Sequence, residues 1–293
     1  MPAIKTDLTL EAAHSLLEKR GGQGRLPGVA MEERHVEGYA VTAVSVRTAY
    51  GARALGKPRG MYITVDLAPY FQRQEGYFSR GVRCLAQELR HLLPPLPAGA
   101  SVLVAGLGNR SMICDAVGPM AVDHLLVTRH LIETLPARFS TLTSVAALSP
   151  GVVGQTGMET VEVLAGTVRH VKPAAVIVID ALTASSRGHL CATVQLSDTG
   201  LIPGSGVGNH RSAIDRKTLG VPVIAVGLPT VMAEAVLAQE LTGAEAHADT
   251  APLFVTPRDV DSRVRELGRL LGYGINAALQ PSLTVEEITG LLG

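Results

Sequence analysis

The chain holds 293 residues, with 26 Lys and Arg balancing 26 Asp and Glu, 46% hydrophobic residues, three cysteines and no tryptophan. That length buries one large core or two modest ones, and the balanced charge gives no electrostatic ground for a nucleic-acid or membrane-surface partner. Cys84, Cys114 and Cys191 are widely spaced without a CxxC, which argues against a disulfide framework or a cysteine zinc site, and 3% aromatics argue against a stacking platform for single strands.

The opening residues lack a charged and then apolar leader, and no apolar run is long enough to cross a bilayer, so a soluble, unexported chain is expected. A first helix is expected to run from Leu8 to about Lys19, capped by Thr6 or Asp7, with Leu10, Leu16 and Leu17 on one face. Val36, Tyr39, Val41, Val44 and Val46 read as extended structure, as does 62–67, with a short helix and turn at 51–58 between them. Residues 77–93 form an amphipathic helix that Pro94, Pro95 and Pro97 end. Then comes the stretch on which the reading turns, Ser101-Val102-Leu103-Val104-Ala105-Gly106-Leu107-Gly108-Asn109. Four apolar residues running into Gly-x-Gly read as a buried parallel strand with a tight turn at its end. Pro119 is expected to open a helix carrying Val122, Leu125, Leu126, Arg129 and His130.

Further strands are expected at 142–148, 174–180, 191–196 and 221–227, with helices at 158–171 and from Pro257 onward, the last striped by Val260, Val264, Leu267, Leu270 and Leu271. The order predicts an α/β fold with a mostly parallel, doubly wound sheet and helices on both faces. A single domain is expected, in which residues 1–98 form an N-terminal strand and helix elaboration packed on a core of 99–293.

In such a sheet, ligands and chemistry gather at the carboxyl ends of the strands. Asp115 falls in the loop after one strand and Asp180 at the end of another, so both acids are expected at one edge. Two carboxylates that share a proton can serve as base and acid, since both cannot ionise cheaply side by side. The plainer reading is that each merely caps a helix or turn. Gly106, Gly108 and Asn109, and the loop of Gly204, Ser205, Gly206, Gly208 and Asn209, offer backbone N–H groups to a substrate chain or an oxyanion. The first nearly matches the dinucleotide fingerprint, but Ser111 replaces its third glycine and no acid ends a second strand about 20 residues on. The second lacks the Gly-Lys-Ser/Thr end of a P-loop. The histidines show no HExxH or other zinc spacing. His130 is a candidate to point at the loops, and His210 to join Asp115 and Asp180 as a third metal ligand. Ser111, Ser149 and Ser205 lie in loops without a Gly-x-Ser-x-Gly elbow, and Cys114 reads as a small packed residue before a nucleophile.

Eight segments taken together resemble a known family: Thr6-Asp7-Leu8; Gly56-Lys57-Pro58; Gly106-Leu107-Gly108-Asn109 with Asp115-Ala116-Val117-Gly118-Pro119; Val127-Thr128-Arg129-His130; Ser149-Pro150-Gly151-Val152; Ile179-Asp180-Ala181-Leu182; Asp198-Thr199-Gly200 through Pro203 to Asn209; and Gly220-Val221-Pro222-Val223-Ile224-Ala225. In this order, from about Thr6 to Pro281, they are similar to the germination protease of spore-forming bacteria. The resemblance implies an endopeptidase that degrades small acid-soluble spore proteins at germination, located in the forespore or spore core. It also implies a homotetramer and a precursor activated by loss of an N-terminal propeptide, with a core similar to hydrogenase-maturation peptidases. The family's proposed catalytic aspartates fall on Asp115 and Asp180. Two departures stand out: Cys114 occupies a position that is usually proline, and only five residues precede Thr6. No cofactor is expected. The alternatives are a metal-dependent peptidase using Asp115, Asp180 and His210, a nucleotide-binding oxidoreductase, and a non-catalytic spore protein.

Overall fold

The computed structural model describes residues 6–19, 26–207, 211–243 and 253–293. After α1 (Thr9–Lys19), the strands β1 (Val29–Val36) and β2 (Tyr39–Val46) form a hairpin. Glu37 and Gly38 both take positive φ in its two-residue turn, the conformation that matches the strands' own twist. Next come α2 (Ala49–Leu55), β3 (Gly60–Asp66), α3 (Ala68–Phe71) and α4 (Tyr77–Leu92). The second part runs β4 (Ser101–Gly106), α5 (Val117–Val122), α6 (Arg129–Thr134), α7 (Pro136–Phe139), β5 (Ser144–Leu148), α8 (Val153–Thr156), α9 (Thr160–Val171) and β6 (Ala175–Ala184). It ends with β7 (Thr193–Ser197), α10 (Arg216–Leu219), β8 (Val223–Ala233), α11 (Glu234–Thr242), β9 (Phe254–Val255), α12 (Val260–Leu279) and α13 (Val285–Leu292).

All the strands among the described residues join one sheet in the order β1-β2-β3-β7-β8-β6-β4-β5, with β9 on the end of β8. The fold is α/β with helices on both faces. One face buries Leu85 and Leu89 of α4, Val117 of α5 and Val264, Leu267 and Leu271 of α12 against Ile177 and Ile179. The other buries Leu164 and Val168 of α9 against Val176 and Val178, the alternate residues of the same strand. Parallel pairing is confined to β5-β4-β6-β8, whereas β1, β2, β3 and β7 pair antiparallel up to the β7–β8 seam. The expectation of a mostly parallel sheet therefore holds for the half that carries Asp115 and Asp180. Residues before 98 extend the sheet of this core, through the pairing of β3 with β7.

Three elements differ from the sequence reading. The helix expected from Pro119 to His130 breaks into α5 and α6, because buried Asn276 accepts the Leu126 N–H at 2.9 Å and donates to the His124 carbonyl at 2.8 Å. The Thr128 N–H then goes to Val145 of β5. Strand β6 runs four residues beyond Asp180, still paired with β8. The expected cap on α1 is absent: Thr6 accepts the Leu8 N–H, and the Asp7 carboxylate turns toward β6.

Candidate active site

Strand β4 ends at Gly106, opposite Ile179 of β6, so Asp180 is the first β6 residue beyond its neighbour's end. A Cβ on Gly106 would lie 2.2 Å from the Gly118 carbonyl oxygen, so only glycine lets α5 begin against the strand end. One last sheet-like bond joins the Leu107 N–H to the Ile179 carbonyl at 2.8 Å. Gly108 then turns at φ +107°, and the Asn109 N–H donates to Oδ2 of Asp115 at 2.8 Å. The Asn109 side chain accepts from the Ser111 N–H and from Gln155. Asp115 closes a 3-10 turn, Ile113–Asp115, immediately before α5.

Asp115 and Asp180 line one cavity of about 370 Å³ with Asp7, Asn109, Gly204 and Arg211. Leu107, Val152, Val231 and Phe254 supply apolar wall. Asp180 is 5% exposed. Burial, then the charges of Asp115 and Asp7, push its pKa well above the usual carboxylate value, against the opposing pull of the Ala181 N–H and Arg211. Half-buried Asp115 is also raised by burial, but the Asn109 N–H and the Arg211 charge favour its ionised form. The environment thus separates the two acids: Asp180 retains its proton more readily, and Asp115 is the more readily ionised member.

Two carboxylates of different acidity in one cavity can act chemically as a base and an acid. A family model described as a germination protease matches residues 7–242. The chain belongs to the germination protease family. Among its relatives, the germination protease of Caldanaerobacter subterraneus subsp. tengcongensis is 38% identical over 99% of this chain and 98% of its own length. That of Clostridium perfringens (strain ATCC 13124) is 34% identical over 99% of each chain, and that of Priestia megaterium is 42% identical over 78% of this chain and 64% of its own. A solved hydrogenase maturation protease, HycI from Thermococcus kodakarensis, is similar at 16% identity and a TM-score of 0.37, covering 64% of this chain and 98% of that one. This germination protease family member is therefore a peptidase with a role in germination, and none of its described helices is long and apolar enough to cross a membrane.

The other expected site residues divide. Gly106, Gly108 and Asn109 shape the turn that holds Asp115, but two of that turn's N–H groups are already committed, Leu107 to Ile179 and Asn109 to Asp115. Gly204 lines the cavity, while Ser205 and Gly206 sit against Asp7. Gly208, Asn209 and His210 lie outside the described residues. His130 is exposed on α6 and lines neither this cavity nor the larger cleft beside it. Among the described residues, no three His, Cys, Asp or Glu side chains are grouped so as to hold a metal ion. Cys114 is half-buried at the cavity wall, where burial and then the charge of Asp115 push its thiol pKa up, disfavouring a thiolate.

Sequence reasoning missed Asp7, Lys57 and Arg211 as site residues. Asp7 lies on the wall between the cavity and a cleft of about 1260 Å³. Its Oδ2 accepts the Thr183 N–H at 2.9 Å, and its Oδ1 accepts the Ser205 hydroxyl at 2.6 Å. The Lys57 ammonium reaches the main chain beside it, donating to the Asp7 carbonyl at 2.8 Å and the Thr6 carbonyl at 3.2 Å. Both residues fall in segments that carried the family resemblance, and that was the available signal.

Proposed function

We propose that the chain is an endopeptidase in which Asp115 and Asp180 activate water directly, and that its substrates are the small acid-soluble proteins of the spore. The observation that carries this reading is the shared cavity in which burial and the charges of Asp115 and Asp7 raise the pKa of Asp180 well above the ordinary carboxylate value, beside a more readily ionised Asp115. Asp115 accepts a proton from water as the water oxygen attacks the peptide carbonyl carbon. Asp180 donates its proton to the carbonyl oxygen, giving a neutral tetrahedral diol. Collapse of the diol breaks the C–N bond, and the departing amine takes a proton from the pair as the carbonyl re-forms. The N–H groups of Gly108, Gly204 and Gly206 are the proposed donors to the developing oxygen charge, each worth about 3 kcal/mol when well placed; the Ser205 N–H is already given to Ile202.

The substrate assignment rests on the family resemblance together with a cavity of about 370 Å³, room for a few residues of chain rather than a folded domain. A homotetramer, residence in the spore core and control by the N-terminal segment belong to the same reading, and Asp7 inside the cavity supports the last of these. No cofactor is needed on this route. The test is to incubate the purified protein, Asp115→Asn and Asp180→Asn with an acid-soluble spore protein, with and without chelator, and to read fragments by mass spectrometry. Cleavage by the wild type that survives chelator and is lost in both variants is the expected result. Near wild-type cleavage by either variant would overturn the pair.

A further inference from the structure

Strand β6 has an open edge next to the carboxylate pair. Up to Ile179 its inner side is covered by β4 and Leu107, while its other side stays on β8 as far as Ala184. Main-chain groups in a parallel strand alternate in direction, so those of Ile179, Ala181 and Thr183 face the side that β4 has vacated. The Thr183 carbonyl there accepts the Asp7 N–H at 3.0 Å. The chain's own Thr6–Leu8 segment thus lies against this edge, joined to it by that one main-chain bond and by the Thr183 N–H to the Asp7 carboxylate.

Besides the Asp7 carboxylate bonds to Thr183 and Ser205 and the buried Leu8 side chain, the segment is held by its main chain. Lys57 donates to the carbonyls of Thr6 and Asp7, Gln195 donates to the Asp7 carbonyl at 3.1 Å, and its own carbonyl accepts the Thr9 N–H at 2.6 Å. None of these four contacts depends on which side chains the segment carries. Gly206 closes the opposite side: a Cβ there would sit 2.3 Å from Thr183 Oγ1 and 2.4 Å from Asp7 Oδ2, so a larger residue would fill the slot. Lys57 is a largely desolvated ammonium whose hydrogen-bond acceptors are these peptide carbonyls, and an occupant without them would leave it unsatisfied.

From these contacts we infer that the β6 edge at Ala181–Thr183, with Lys57, Gln195 and Gly206, is a main-chain clamp that binds an extended peptide by strand addition and presents its backbone to Asp115 and Asp180. The inference rests on the proposed peptidase reading and names where the substrate chain lies. Strand addition supplies affinity through backbone bonds, and the places taken by the Asp7 carboxylate and the buried Leu8 side chain add selectivity. The same clamp admits one occupant at a time.

The probe is a labelled peptide, acetyl-Ile-Lys-Thr-Asp-Leu-Thr-Leu-Glu-amide, with the sequence of residues 4–11. Binding is read by anisotropy to the full-length chain carrying Asp180→Asn, so that turnover plays no part. Adding Asp7→Pro, which deletes the N–H given to Thr183, is expected to free the edge and tighten peptide binding at least about tenfold; if the proline variant fails to fold, Asp7→Gly, which keeps that N–H but gives up the carboxylate bonds to Thr183 and Ser205, is expected to tighten it about threefold. Replacing the peptide's Asp amide by an ester removes the donor to Thr183 and is expected to weaken binding about 3- to 10-fold, while an ester at the Glu that ends the peptide, whose N–H and preceding carbonyl make none of these contacts, leaves it unchanged. Lys57→Met is expected to weaken the amide peptide similarly. Equal binding of ester and amide at the Asp position, equal binding with the native segment in place, or no binding to either Asp7 variant would overturn the clamp. A peptide that binds as expected to a chain that cleaves nothing in the wild-type form would instead overturn the peptidase reading and leave the clamp standing.

Discussion

Asp180 is buried beside other acids, and that placement has a thermodynamic sign. Its folded-state pKa lies well above the ordinary 3.8, so between pH 3.8 and the raised value the folded chain binds a proton that the unfolded chain has released. Stability therefore falls as pH rises through that window. Asp180→Asn removes the titrating group and keeps the shape. It is expected to raise the melting temperature at pH 7, with the gain shrinking toward pH 4, while lowering kcat about 10²- to 10⁴-fold, as expected for loss of a general acid. A variant no more stable than wild type at pH 7 would show that the raised pKa carries no cost. Asp115 and Asp180 were legible in the sequence because an apolar run followed by a turn marks a strand end, and strand ends in such sheets share an edge. Asp7, Lys57 and Arg211 were not, because no local pattern brings a residue near the N-terminus to Thr183, 176 positions away. The places of Asp7 and Lys57 follow from the packing of α1 on α2, β2 and β3, which the sequence expresses only as ordinary helix periodicity.

At the scale of the element, α1 is held by a buried carboxylate. Glu11 accepts from the Ser185 N–H and hydroxyl at 2.7 Å each, from the Ser186 N–H at 2.9 Å and from the Thr6 hydroxyl, and pairs with His189 at 2.7 Å. Burial alone would raise the Glu11 pKa, but the bonds from His189, Thr6 and Ser185 outweigh it, so it falls below 4.5. The bond to Glu11 in turn raises His189 above 6.5. The His189 contribution is full below pH 6.5 and is lost as pH rises through its folded value; the Glu11 contribution is full above pH 4.5 and is lost as pH falls. The latch is thus strongest between those limits. His189→Ala is expected to cost about 1–3 kcal/mol near pH 5.5 and less at pH 8, read from urea midpoints and from faster amide exchange in α1. An equal cost at both values would mean that the imidazolium adds nothing. Asn276→Ala should cost about 2 kcal/mol by freeing the Leu126 N–H and the His124 carbonyl, with an unchanged urea m-value. Helices α4, α9 and α12 were legible from their apolar stripes. The break between α5 and α6 was not, since it depends on an asparagine 150 positions later in the chain than Leu126, and the antiparallel half of the sheet was not, since strand direction leaves no periodic trace.

For the whole molecule, the sheet's outer strand β1 presents Glu32, Glu33 and Arg34 along its length, and charges on an edge oppose continuation of the sheet into another copy. The proposed tetramer is then not expected to assemble through β1, and sedimentation at micromolar concentration should show it; monomer alone would remove it. The N-terminal segment sets a stronger constraint on the chain as a unit. Thr6–Thr9 is covalently tethered to the site it fills, and a short tether gives an effective concentration in the millimolar range. A free peptide must exceed that level to displace it, because both make the same backbone bonds to Thr183, Lys57 and Gln195. Full-length protein is therefore expected to cleave slowly until the segment before about Leu8 is cut or released, and Asp7→Ala, which gives up the bonds to Thr183 and Ser205, is expected to raise the initial rate of the uncut chain several-fold. N-terminal sequencing across a time course makes the link direct: turnover should rise in step with loss of Met1 as the first residue. Full activity in a preparation that still begins at Met1 or Pro2 would mean that the segment yields to substrate without being removed, and the Asp7→Ala rate would then equal that of the wild type.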